Sequence, residues 1–184
     1  MDIQLFKSRL GAGGARPNQF LVELAFPAYV GSPDLTASVL VTGAAMPAST
    51  VNPAIIQYRG REVKLAGERI FDPWTITIAN DTAQSLRQPF EEWLDGMNAK
   101  ADNSSIALQP RDYQADITVT HLDRNDNALP GGIITLRDAF PINMSEIALQ
   151  YAQNDILEEY TVTFQYQDYI GGEGRSSVTA SLTA

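Results

Sequence analysis

The run Tyr160-Thr161-Val162-Thr163-Phe164-Gln165-Tyr166 sets Val162, Phe164 and Tyr166 against Thr161, Thr163 and Gln165. Successive side chains of a strand point to opposite sides, so this alternation predicts a half-buried strand over residues 160–169. Trp74-Thr75-Ile76-Thr77-Ile78 repeats the pattern, with Trp74, Ile76 and Ile78 on one face and β-branched threonines on the other. Residues 19–26 do the same through Phe20, Val22, Leu24 and Phe26, and Pro27 ends that strand. Further strands are predicted at 38–42, 113–122 and 133–137, with a short one at 147–151. Residues 55–58 and 62–65 flank Arg59-Gly60-Arg61 as a hairpin, and Asp123-Arg124-Asn125-Asp126-Asn127 is a turn.

Only residues 85–100 change period. Leu86, Phe90, Trp93, Leu94 and Met97 recur at helical spacing and form one apolar stripe. Ser85 and Gln88 are placed to make a capping box, and Pro89 then falls in the first turn, where a missing amide is cheap. The Trp93 side of this helix is expected to dock on a sheet. The fold class is therefore mainly β: a two-sheet antiparallel sandwich or barrel with one flanking helix. Residues 1–18 read as a flexible arm, because Gly11-Ala12-Gly13-Gly14 permits many backbone conformations; 19–169 is the domain and 170–184 a C-terminal extension.

Length and composition agree with one globular domain: 184 residues, 44% hydrophobic and 19% charged. No window approaches a membrane span, and the segment from Met1 to Lys7 lacks the basic and apolar regions of a signal peptide, so cytoplasmic synthesis without membrane anchoring is expected. Zero cysteines exclude disulfides and thiolate chemistry. A net charge of −9 opposes binding to phosphate backbones.

Catalytic, cofactor and metal chemistry find no convincing residues. His121 is the one histidine, which falls short of the several nitrogen or sulfur ligands of a zinc site. The run from Asp123 matches the first half of a calcium loop, but Ala128 stands at its sixth position, where glycine is needed, and Ile134 at its twelfth, where glutamate is needed. Gly11-Ala12-Gly13-Gly14 follows no strand and leads to no P-loop lysine. Glu91-Glu92 and Glu158-Glu159 are adjacent carboxylates that point in different directions, and they read as solvated. No Gly-x-Ser-x-Gly elbow occurs, so no enzyme activity and no cofactor are expected.

A longer pattern carries more. Ala15-Arg16-Pro17-Asn18-x-Phe20, the run from Tyr58-Arg59-Gly60-Arg61-Glu62-Val63-Lys64-Leu65 through Ala66-Gly67-Glu68-Arg69-Ile70-Phe71-Asp72-Pro73-Trp74-Thr75, and Asn80-Asp81 before Phe90-Glu91-Glu92-Trp93 all resemble one family. So do Ala139-Phe140-Pro141-x-Asn143 and Asn154-Asp155-x-Leu157-Glu158-Glu159-Tyr160. These are similar to the tail tube proteins of T4-like contractile-tailed bacteriophages, over residues 15–169. The resemblance implies a β-sandwich subunit that pools strands with its neighbours into a shared inner barrel, as a hexameric ring stacked into a tube. It also implies location in the virion tail after assembly in the host cytoplasm. The partners implied are other copies of the chain, the tail sheath, a baseplate initiator, a tail terminator and a tape measure protein, with DNA passing through unbound. The tail from Gly171 and the loop over residues 28–35 exceed what the family pattern leads one to expect.

Arg59, Arg61, Glu62, Lys64, Glu68 and Arg69 put more alternating charge into one hairpin than a buried hairpin satisfies cheaply. Under the resemblance they are the candidate ring–ring interface. Two other readings compete. One is the tube of a phage-derived injection particle, of the bacteriocin or secretion-system type. The other is a carbohydrate-binding sandwich, against which Trp74 and Trp93 argue by falling on predicted apolar faces.

Overall fold

The structure, a computed structural model, describes residues 2–10, 14–31, 35–151 and 156–171. Gly11 to Gly13, residues 32–34 of the loop, Asn154, Asp155 and the extension from Gly172 lie outside the described residues. Helix α1 spans Ile3–Leu10 and strand β1 spans Phe20–Leu24, and a 3-10 turn at Leu35–Leu40 leads into β2, Val41–Ala44. A long hairpin follows, β3 at Ser49–Tyr58 and β4 at Arg61–Phe71, then β5 at Trp74–Ala79 and helix α2 at Arg87–Met97. After α3, Pro110–Tyr113, come β6 at Ala115–Leu122, β7 at Ala128–Met144, β8 at Glu159–Gln165 and β9 at Asp168–Gly171.

All strand pairings are antiparallel, and the path runs β1-β6-β7-β8-β5-β2, with β9 also on β7. Strand β7 has 17 residues and serves two sheets. Its first part pairs with β6 and β9, and its last part, from Phe140 to Met144, pairs with β8. Between them Asp138 takes a positive φ of 53° while its amide donates to the Asp116 carboxylate at 3.0 Å. Together with the register shift at Ala115/Ile117, this irregularity re-aims the strand from one sheet to the other. The result is the expected two-layer antiparallel architecture, with a strand as its corner. The path is open: β1 and β2 terminate it, each paired on one side only among the described residues.

Alternation puts Val22 and Leu24, Ile117 and Val119, Ile76 and Ile78, and Val162 and Phe164 into one core. Phe90 and Trp93 of α2 close that core against Phe164, with ring centroids 5.8 and 6.2 Å apart. Gly96 gives Tyr29 its seat, since a Cβ there would lie 2.1 Å from the Tyr29 ring. From that seat the Tyr29 hydroxyl donates to the Trp93 carbonyl at 2.8 Å, and desolvation pushes its pKa up to about 12.

Several local expectations are corrected. The strand expected at 38–42 begins only at Val41, because its first rung, Val41↔Ile78, already lies near the end of β5, and unpaired backbone closes short-range 3-10 bonds instead. Residues 147–151 form no strand: β7–β8 pairing ends at Met144↔Val162 and leaves them without a ladder partner. The Ser85–Gln88 capping box is absent, as the Ser85 amide and hydroxyl both donate to Asp81, at 2.8 and 2.6 Å. Tyr113 belongs to α3 rather than to β6, and the strand expected over 160–169 breaks at Tyr166 and Gln167. The arm is helical over Ile3–Leu10, capped by the Asp2 carboxylate accepting from the amides of Gln4 and Leu5 at 3.0 and 3.4 Å.

Candidate assembly surface

Strands β3 and β4 pair only with each other, so their hairpin stands off the sandwich as a separate ribbon. It turns at Arg59 and Gly60, with φ of 48° and 79°, and paired left-handed residues match the right-handed twist of a tight two-residue hairpin. Its base is rooted by Phe71, whose ring lies 5.9 Å from Tyr166 and 5.6 Å from Tyr169. Midway the register shifts between Val51 and Pro53, and there Gly67 lets Asn52 come close: a Cβ on Gly67 would sit 2.4 Å from the Asn52 carbonyl.

The register sorts the side chains. Ala54, Ile56 and Tyr58 pair with Leu65, Val63 and Arg61 and share one mainly apolar face. Ile55 and Gln57 pair with Lys64 and Glu62 on the other, where the Gln57 amide donates to Glu62 at 3.1 Å. Every residue from Thr50 to Ile70 is exposed. Of the sequence-predicted set, Arg59 sits in the turn with its guanidinium 5.5 Å from the Tyr58 ring centre, Arg61 faces Tyr58, Lys64 faces Ile55 and Arg69 faces Val51. Glu68 lies beside the irregularity at Gly67. None of the six charges makes an ion pair among the described residues.

Charge alternation singles out those six residues and passes over their apolar partners. Val51, Ile55, Ile56, Tyr58, Val63, Leu65 and Ile70 are large apolar side chains left in solvent on this one ribbon. Large exposed apolar patches of this kind are candidate contact surfaces. The alternation Ala54, Ile56, Tyr58 is the signal in the sequence that could have found them.

Elsewhere the outward faces of both sheets carry threonines in register. Thr75 and Thr163 hydroxyls meet at 2.9 Å and Thr118 and Thr135 at 3.1 Å, each pair directly opposed across its ladder. His121 is an ordinary strand histidine whose Nε2 lies 2.9 Å from the Arg16 carbonyl and ties the root of the arm to β6. The Asp123 carboxylate accepts from the amides of Asn125 and Asn127, at 2.7 and 3.0 Å, which makes that run a turn.

The phage tail tube protein family matches residues 15–171. The chain belongs to that family. It is similar to tail tube protein gp19 of Enterobacteria phage T4, at 30% identity over 149 residues, 81% of this chain and 86% of that one. It is also 26% identical to the tail tube protein of Serratia phage KSP90, over 90% of this chain and 93% of that one. The tail tube fold recurs in a chain of the anti-feeding prophage baseplate, with a TM-score of 0.63, 16% identity and coverage of 85% and 94%. It recurs again in a chain of the sheath–tube complex of the extracellular contractile injection system PVC, with a TM-score of 0.54, 12% identity and coverage of 89% and 97%. This chain is thus a structural tail tube subunit, one with a projecting ribbon, open sheet edges and threonine faces.

Proposed function

We propose that the chain polymerises as stacked hexameric rings, forming the tube of a contractile phage tail, and that the β3–β4 hairpin makes the ring–ring contact. The hairpin carries the reading: an exposed ribbon with one apolar face and unpaired charges is unstable as a free surface and suited to a fixed partner. Apolar area supplies the adhesion there. Arg59, Arg61, Glu62, Lys64, Glu68 and Arg69 fix the register by pairing across the interface. Unpaired edges on β1 and β2 allow neighbouring subunits to add strands, which removes edges that otherwise invite aggregation. Head-to-tail contacts that close by rotation give rings.

The bore transmits DNA without holding it. Threonine hydroxyls already bonded to each other make a hydrophilic wall, and the chain's net charge of −9 keeps phosphates from adhering. The role is structural and non-enzymatic. The outer wall takes a tail sheath, while a baseplate initiator, a terminator and a tape measure protein set where the tube starts, ends and how long it grows. The fold relatives come from a baseplate and from a sheath–tube complex, which supports partners of that kind.

Electron microscopy and sedimentation of the purified chain, with and without a tail initiator complex, test the proposal. Rings or tubes are expected. A strictly monomeric species at every concentration and salt level, with initiator present, would sink it. A second reading, the tube of a genome-free injection particle, is favoured by the two contractile-injection fold relatives, and capsid genes beside this one would decide against it.

A further inference from the structure

The two layers turn different chemistry outward. The layer made of β2, β5, β8 and the Phe140–Met144 end of β7 contains none of the chain's 13 lysines and arginines, and its one acidic residue is Glu159. Because Ile76, Ile78, Val162 and Phe164 point into the core, their strand neighbours Thr75, Thr77, Thr161 and Thr163 point out, with Asn143 opposite Thr163. The face spends its hydroxyls on itself: Thr75 meets Thr163 at 2.9 Å, and Thr42 donates to the Glu159 carboxylate at 3.1 Å. Phosphates are held by lysine, arginine and free hydrogen-bond donors, and this face is poor in all three.

The layer made of β1, β6, β9 and the start of β7 exposes Leu21, Ile170, Glu23 and Asp116, together with the Arg137–Asp168 ion pair. Helix α2 lies on the same side of the molecule. Its Phe90 and Trp93 pack on Phe164, on the core side of the threonine layer, so α2 and its ion pair between Lys100 and Asp95 stand across that layer from the threonines. The β3–β4 hairpin leaves from between β2 and β5, which are neighbours in the threonine layer, so that layer runs directly into the ribbon.

We propose that the threonine layer is the bore wall of the tube, and that α2 and the layer of β1, β6 and β9 face outward. The inference rests on the tube assembly proposed above and narrows its hydrophilic wall to one of the two layers. A linear polyanion moving along this wall meets hydroxyls, an amide and one carboxylate, and no cation with which to exchange its counterions. Turned the other way, the subunit would line the bore with Leu21, Ile170 and Arg137, apolar and basic groups that hold a cargo back. On the outside the same mixture of charge and apolar area suits a protein partner.

The chain has no cysteine, so single cysteines report accessibility cleanly. Thr75→Cys probes the threonine layer and Lys100→Cys the α2 side; both positions are exposed, so neither change disturbs the core. Each is treated with N-ethylmaleimide and with a maleimide carried on a folded protein too large to enter the tube. Free chains should react with both reagents at both positions. In assembled tubes Lys100→Cys should still take both, while Thr75→Cys takes the small reagent and loses reaction with the large one by at least about tenfold, as a position inside a closed wall must. Thr163→Cys, on the same face, repeats the measurement if Thr75→Cys fails to assemble. Tubes in which the large reagent reaches Thr75→Cys as fast as in free chains overturn the wall assignment and leave the tube standing. So does protection of Thr75→Cys from both reagents, which would bury it in a contact between subunits, and so does loss of the large reagent alone at Lys100→Cys. An unsubstituted chain that never assembles, even with initiator present, overturns the wall and the tube together.

Discussion

The indole N–H of Trp93 donates to the carbonyl of Tyr113 at 2.7 Å, so the buried face of α2 is pinned to the turn that launches β6. The ring is fully buried and meets both Phe26 and Phe164. Trp93→Ala should cost about 3–5 kcal/mol, against a total of about 5–15. Trp93→Phe keeps most of the area but strands the Tyr113 carbonyl and should cost about 1–3 kcal/mol. Urea denaturation measures both, and an unchanged midpoint for the alanine variant would place Trp93 outside the core.

Arg61→Glu with Lys64→Glu should leave a folded subunit and shorten or abolish tubes. Both side chains are exposed and make no ion pair among the described residues, so folding loses little, while a partner ring would meet reversed charge. Tube length by microscopy is compared with circular dichroism of the same sample. Normal tubes would place the hairpin outside the stacking contact.

Gly67→Ala attacks the same ribbon through its backbone. The new methyl would meet the Asn52 carbonyl at 2.4 Å, a backbone atom that yields only if the strands shift. The sandwich core lies elsewhere, so its melting should move by less than that of Trp93→Ala, while tube yield falls. A tube yield equal to that of the unsubstituted chain would show that the bend at Gly67 does not shape the contact.

Asp81 predicts an acid limb of stability. Hydrogen bonds from Ser85, chiefly from its hydroxyl and then from its amide, hold the carboxyl below its ordinary value of 3.8. A depressed folded pKa contributes stability that is fully present above the unfolded value and is lost as pH falls through the folded one. The gap in melting temperature between the natural chain and Asp81→Asn should therefore be widest near neutrality and narrow as pH falls below 3.8. A gap that stays constant from neutrality to well below that value would contradict this.

How much of the fold is legible follows from what periodicity encodes. The alternating runs through Trp74, Ile76 and Ile78, and through Val162 and Phe164, announce β5 and β8 because side-chain period reports burial directly. The hairpin is legible as a turn but not in its length. Strands β3 and β4 extend to Ser49 and Phe71 through residues with no clean alternation, because a ribbon exposed on both faces has no burial to encode. Only the short run Ala54, Ile56, Tyr58 alternates, and it marks part of the apolar face. The expected strand at 147–151 fails differently: its composition permits a strand, and only the missing ladder partner forbids one. The corner in β7 is also invisible, since it depends on Asp116 accepting the Asp138 amide from a different strand.

A strand common to both layers changes how the subunit carries load. Pulling the two sheets apart elsewhere would open side-chain packing, but along β7 it must stretch a continuous covalent backbone. Force applied to one layer therefore passes to the other through peptide bonds, so the two layers move as one body.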